Sequence, residues 1–308
     1  MRMTRVVRTF LHGVATVSAL VMALLTATAC GRGAENEKEP ESVQSLVARV
    51  VKASPGRDGS YTPPSRGTAQ AVAAGVSELL DTCDADVDSY YLVPVKVPHS
   101  TSDDQESPAV NALVERGDPT AGNGLYVVRD SASPLIVQAP HPVADQKSEY
   151  MGAQLFSETD ARLFMMAGAH RTAGDGSADV AHRSDSTFAA VNDAVVQKGM
   201  TVVQLHGFSS ENHEHYGDVV LSDTVGDPSP TLRRLDEDLE DEGFDTCMYD
   251  GKKCKKLAGT TNVQAIAARA RGAAFIHIEV DAGIREDTSK RRKLMRVIAE
   301  SLRASGVG

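Results

Sequence analysis

Beyond residue 67 the chain alternates short apolar runs with stretches of helical pattern. Extended runs are predicted at 90–97, 125–129, 135–139, 162–167, 201–205 and 273–280, and helices at 69–80, 149–157, 186–198, 262–271 and 289–304. Strand-then-helix alternation of this kind argues for an α/β fold with a mostly parallel or mixed central sheet and helices on both faces. In such sheets, ligand sites gather where the strands reach their carboxyl ends.

The first residues form a different pattern. Arg2, Arg5 and Arg8 precede an apolar stretch over 14–25 that ends in Ala27-Thr-Ala-Cys30, and this reads as a secretory signal peptide over 1–29. Its apolar core is too short to span a bilayer. Small residues before a cysteine, with Gly31 after it, resemble the bacterial lipobox, which makes Cys30 the lipidated first residue of a membrane-anchored lipoprotein. Cleavage after Ala29 without lipid is the alternative, and both readings export the chain. Residues 30–67 are polar and interrupted by Pro40, Pro55, Pro63 and Pro64, as expected of a flexible tether carrying one helix at 43–53. A single catalytic domain is then expected over 68–308.

Export implies an oxidising compartment, which favours one disulfide and a leftover thiol among Cys83, Cys247 and Cys254. Cys247 and Cys254 bracket the turn signal Asp250-Gly251 and could meet across it, while pairing of Cys83 with either remains open. No Cys-x-x-Cys pair exists to build a zinc-thiolate site. The formal net charge is −10, and removing a leader with no acidic residue makes the remainder more negative, which argues against nucleic acid as a partner. The basic spots 252–256 and 290–293 are local and read as solvated faces. A chain that is 41% hydrophobic can bury one sizeable core; with no Trp, an aromatic-lined groove is not expected.

Ligand-type residues stand at or near the ends of four predicted strands: His141 and Asp145 after the first, His170 and Arg171 after the second, His206 after the third, and His277 and Glu279 near the end of the fourth. Imidazole and carboxylate suit an open catalytic zinc, and His141, Asp145 and His206 are the candidate ligands of one ion. Prolines on both sides of His141 restrain its loop and lower the entropy cost of holding the ring. Alternation along 273–281 puts Phe275, His277 and Glu279 on one face. A carboxyl in so apolar a strand is costly unless paired or functional. Glu279 is therefore the candidate general base, its pKa expected to rise on burial, with an ion pair to Arg285 as the structural alternative. Arg171 and Arg285 could hold a substrate carboxylate or a developing oxyanion. Asp179 and His182, three residues apart, could support the site, contact substrate or simply bond at the surface. His213 and His215 lie in a polar segment read as a site-lining loop, and Tyr216 or Tyr249 could assist the chemistry.

The motifs Pro140-His-Pro-Val-Ala-Asp145, Ala167-Gly-Ala-His-Arg171, Asp179-Val-Ala-His182, Gln204-Leu-His-Gly207 and His277-Ile-Glu279 resemble, in order and chemistry, the zinc carboxypeptidase superfamily. That group includes the aspartoacylase branch, the N-formylglutamate amidohydrolases and the poly-gamma-glutamate hydrolases. The resemblance covers roughly residues 134–300 and implies a zinc-dependent hydrolase of peptide or N-acyl bonds. His141, Asp145 and His206 would be the ligands, Glu279 the base and Arg171 the oxyanion or carboxylate contact. One departure is plain: the family motif places a Glu after two intervening residues, whereas three residues separate His141 from Asp145. Two other classes stay open, a non-catalytic surface lipoprotein that binds a metal or small ligand on such a scaffold, and a purely structural domain.

Overall fold

The computed structural model describes residues 39–97, 109–213 and 215–307. The expected signal peptide and lipidation site, residues 1–30, lie outside the described residues.

Ten strands form one sheet: β1 (Glu41–Ser42), β2 (Tyr90–Lys96), β3 (Val110–Glu115), β4 (Leu125–Arg129), β5 (Leu135–Ala139), β6 (Leu163–Met166), β7 (Thr201–Phe208), β8 (Val219–Ser222), β9 (Thr246–Met248) and β10 (Ala274–Asp281). Their order is β1-β2-β3-β4-β6-β5-β7-β10-β8-β9. The centre, β6-β5-β7-β10, is parallel, while β2, β3, β4 and β6 join antiparallel on one side and β10 joins β8 antiparallel on the other. The sheet is thus mixed around a parallel core, as the alternation predicts.

Helices cover both faces. On one lie α1 (Val43–Ala53), α3 (Ser148–Glu158), α5 (Pro230–Asp241) and α8 (Thr288–Ala304), which share an apolar core with Leu135, Val137, Leu205 and Ile278. On the other, α2 (Arg66–Thr82), α4 (Thr187–Val195) and α6 (Val263–Ala270) pack on Ile136, Val202 and Phe275. The short α7 (Ala282–Glu286) links β10 to α8. Burial on both faces explains why the central strands read as continuous apolar runs. Side chains at the N-caps Ser42, Ser65, Ser186, Ser229, Asn262 and Asp287 accept the first-turn N–H groups that the helices cannot satisfy themselves.

The expected tether does not extend to residue 67. Val43, Leu46, Val47 and Val50 of α1 are 0–4% exposed within the first core, Tyr61 is buried, and the Pro55 carbonyl accepts the His170 N–H at 2.9 Å. Proline breaks in this stretch shape a packed strap rather than a free linker. Missed as well were β3, β8, β9 and α5. The Ser229-Pro230 start of α5 and the buried spacing of Leu232, Leu235 and Leu239 were its signal. Cys247 and Cys254 are bonded, with Cα atoms 6.3 Å apart, and among the described residues no cysteine is free, so the leftover thiol expected among the three does not arise.

Candidate metal centre

Strand β5 ends at Ala139, and the chain turns at once. The His141 carbonyl accepts the N–H groups of Ala144 at 3.0 Å and Asp145 at 2.7 Å, so a single turn brings the carboxyl back beneath the ring. The prolines at 140 and 142 lock φ on both sides of His141. Neighbouring β7 delivers His206, and the next residue's N–H, on Gly207, donates to Asp145 Oδ2 at 3.2 Å. Three groups from two strands thereby converge.

Asp145 Oδ2 lies 3.6 Å from His141 Nδ1 and 3.7 Å from His206 Nδ1. These distances are too long for hydrogen bonds, but they suit an ion: ligands about 2.1 Å from a tetrahedral zinc stand roughly 3.4 Å apart. The three donor atoms lie within 4.8 Å of one another, and all three residues are buried. Among the described residues, His141 Nδ1 is buried with no hydrogen-bond partner, which suits an atom that would ligate a cation.

The far nitrogens are occupied. His141 Nε2 is 2.9 Å from Asp179 Oδ1, and His206 Nε2 is 2.7 Å from Gln204 Oε1. A bond at the far nitrogen sets a ligating ring's tautomer and orientation. Asp179, whose role the sequence left open, is therefore the partner of His141. It also meets Arg171 at 2.8 Å and His182 at 3.1 Å, both more exposed. Burial works against a charge on His141, yet Asp145 and Asp179 lift its pKa above the ordinary imidazole value. For Asp179, burial is outweighed by the bonds from His141 and His182, which hold its pKa well below the usual carboxylate range. His206 is held well below the ordinary imidazole value by burial and by its proximity to His277 and His141. The two carboxylates thus favour positive charge at His141, whereas burial and its neighbours keep it off His206.

Parallel pairing of β7 and β10 sets Glu279 beside His206 and His277 beside Gln204. Glu279 is 9% exposed, with Oε1 3.4 Å from His277 Nε2, and the His277 ring lies 4.4 Å from that of His206. The ion pair to Arg285 does not form. Arg285 is buried and donates instead to the carbonyls of Val280, Phe208 and Gln146. It clamps the strand ends together, and this replaces the substrate contact expected of it. A side chain on Gly207 would collide with that guanidinium. Arg171 keeps 39% of its side chain exposed at the edge of the cluster. His170 instead accepts the Thr172 N–H at its Nδ1, and neither His213, stacked on Tyr216 at 5.2 Å, nor the exposed His215 joins the donor set.

Sequence reasoning passed over the amides behind the site: Gln138, Gln204, Asn262 and Gln264, each 0–2% exposed. Their signal was available, a glutamine inside each of the apolar runs of β5 and β7, where an unpaired polar group is costly.

The sequence matches no protein-family description and no curated protein at a significant level. Among solved structures, the chain is similar to a bacteriophage poly-gamma-glutamate hydrolase at 10% identity and a TM-score of 0.42, over 75% of this chain and 97% of that one. A carboxypeptidase A-like protein of Shewanella denitrificans shares 15% identity at a TM-score of 0.37, over 80% and 71% of the two chains. The bottromycin maturation enzyme BotP, solved with Mn, shares 11% at 0.36, over 84% and 70%. At such values the functional reading rests on the side chains themselves.

Proposed function

We propose that the chain is a zinc-dependent hydrolase of amide bonds, of the carboxypeptidase or N-acyl amino acid amidohydrolase type. The observation that carries this reading is the convergence of two buried imidazole Nδ1 atoms on the Asp145 carboxylate, with Glu279 in register beside His206. His141, Asp145 and His206 would hold one ion, a nitrogen and oxygen set that leaves a position open for water or substrate. Such an ion supplies Lewis acidity to a carbonyl oxygen and to a water molecule.

The remaining steps belong to the chain's own residues. Glu279 takes the proton of the attacking water and returns it to the leaving amine nitrogen. Arg171, anchored through one nitrogen on Asp179, directs its other N–H groups at a substrate carboxylate or at the charge developing on the carbonyl oxygen. Peptides and N-acyl amino acids bearing a carboxylate fit this arrangement. The leader ending in Ala27-Thr-Ala-Cys30 supports an extracytoplasmic location with a lipid anchor on Cys30. Among the described residues, no helix is long and apolar enough to cross a membrane.

The test is elemental analysis of the chain purified without a histidine tag, beside His141→Ala/His206→Ala, with Glu279→Gln assayed on a panel of amide substrates. About one zinc per chain, lost in the double variant, and turnover lost in a zinc-retaining Glu279→Gln protein are the expected results. A wild type that takes up no zinc even after metal is added back would end the hydrolase reading.

A further inference from the structure

We infer that Gln204 is a positioning residue: a buried chain of amides, anchored on two backbone groups, aims its side-chain oxygen at His206 and so fixes which nitrogen of that ring carries the proton. The inference deepens the metal-centre reading and rests on it for the consequence at the ion.

The argument begins at groups whose polarity cannot be reversed. The Val180 carbonyl only accepts, and Gln264 Nε2 lies 2.8 Å from it, so the Gln264 oxygen points the other way, toward Gln204 Nε2 at 3.4 Å. The Ala265 N–H only donates, and it meets Asn262 Oδ1 at 3.0 Å in the N-cap of α6. The Asn262 amide nitrogen must then face Gln204 Oε1, which it does at 2.6 Å. Both anchors require the same orientation of Gln204. Its Nε2 also donates to Gln138 Oε1 at 2.8 Å, and Gln138 Nε2 passes the direction on to Asn192 Oδ1 at 2.9 Å.

The Gln204 amide thus uses both donors and both acceptor positions, the last of them 2.7 Å from His206 Nε2. An amide oxygen already committed to accepting requires a donor there. His206 therefore carries its proton on Nε2, and Nδ1, facing Asp145, keeps a lone pair for a cation. The polarity reaches His206 from the start of α6 and the carbonyl of residue 180, distant in sequence from both β5 and β7. Asn262 serves twice, capping a helix and aligning a ligand.

Three variants of the full mature chain test this. Gln204→Met keeps the volume and removes the acceptor. Gln204→Glu keeps an oxygen toward His206 and Asn262 and, protonated on its other oxygen, still donates to Gln138. Asn192→Leu disrupts the far end of the same buried network without touching His206. In metal-stripped protein, long-range 15N–1H correlation of the histidine rings reads the tautomer directly. Nε2–H is expected in the wild type and Gln204→Glu, and a mixture in Gln204→Met. By competition with a chelator, zinc affinity should fall about 10–100-fold in Gln204→Met and stay within about threefold in the other two. An Nδ1–H tautomer in the wild type, or a Gln204→Met protein that binds zinc as tightly as Asn192→Leu, overturns the inference. A wild type that binds no zinc yet carries its proton on Nε2 would end the metal reading while upholding the amide chain, so the two failures are distinguishable.

Discussion

Replacing Asp179 by alanine should weaken zinc binding by about 10–100-fold. Asp179 has three partners, His141, Arg171 and His182, but they differ in burial. Arg171 and His182 keep 39% and 47% of their side chains exposed, and exposed pairs contribute about 0–1 kcal/mol. His141 is 1% exposed, and its 2.9 Å bond to Asp179 is charge-assisted and shielded from water. Hydrogen bonds to charged groups contribute about 1.5–3 kcal/mol, and about 1.4 kcal/mol is tenfold in an equilibrium constant. The loss should therefore pass almost wholly through the His141 ring, which without Asp179 is free to present either nitrogen to the site. Competition with a chelator of known affinity measures the effect, with Arg171→Gln and His182→Gln expected within about threefold of wild type. If Asp179→Ala bound zinc as the wild type does, or if losing either exposed partner cost as much as losing Asp179, the assignment of Asp179 to His141 would be wrong.

Two further outcomes follow from burial and charge. In metal-stripped protein, the raised pKa of His141 makes a contribution to stability that is fully present below the unfolded imidazole value near 6.5 and is lost as pH rises through the raised one. Tm should accordingly fall across that window, by about 2–4 °C per kcal/mol lost, and the fall should flatten in His141→Gln; a wild-type Tm that rises there would contradict the electrostatics of the site. Because α1 buries four apolar side chains worth about 1.5–3 kcal/mol each, a chain begun at residue 68 should fail to fold, whereas one begun at residue 39 should melt cooperatively. Circular dichroism melts compare the two, and a folded 68–308 fragment would restore the tether reading of α1.

The central strands were legible because each is short, apolar and followed by a helical pattern, and burial on both faces leaves that signature in any α/β sheet. Edge elements were less so. β8 and β9 are short, and α5 is polar around most of its surface, so its buried stripe of Leu232, Leu235 and Leu239 stands out only with the Ser229-Pro230 start. The strap at 41–67 misled for a related reason, since its prolines resemble those of a linker until α1 is seen against the sheet. Cys247 and Cys254 were readable as a pair because only a turn separates them.

At the site, residue type and strand order were enough to nominate His141, Asp145, His206 and Glu279, because imidazole and carboxylate at strand ends have few structural reasons to be there. Their roles relative to one another came from contacts between segments remote in sequence. Asp179 meets His141 across 38 residues, Asn262 meets Gln204 across 58, and Arg285 turns inward to the Gln146 carbonyl across 139. The sequence by itself determined the chemistry the site can perform, since donor atoms and charges belong to residue types. Only the tertiary structure decided which nitrogen faces which oxygen, because hydrogen bonds act over about 3 Å and the chain brings those atoms together only when the sheet closes.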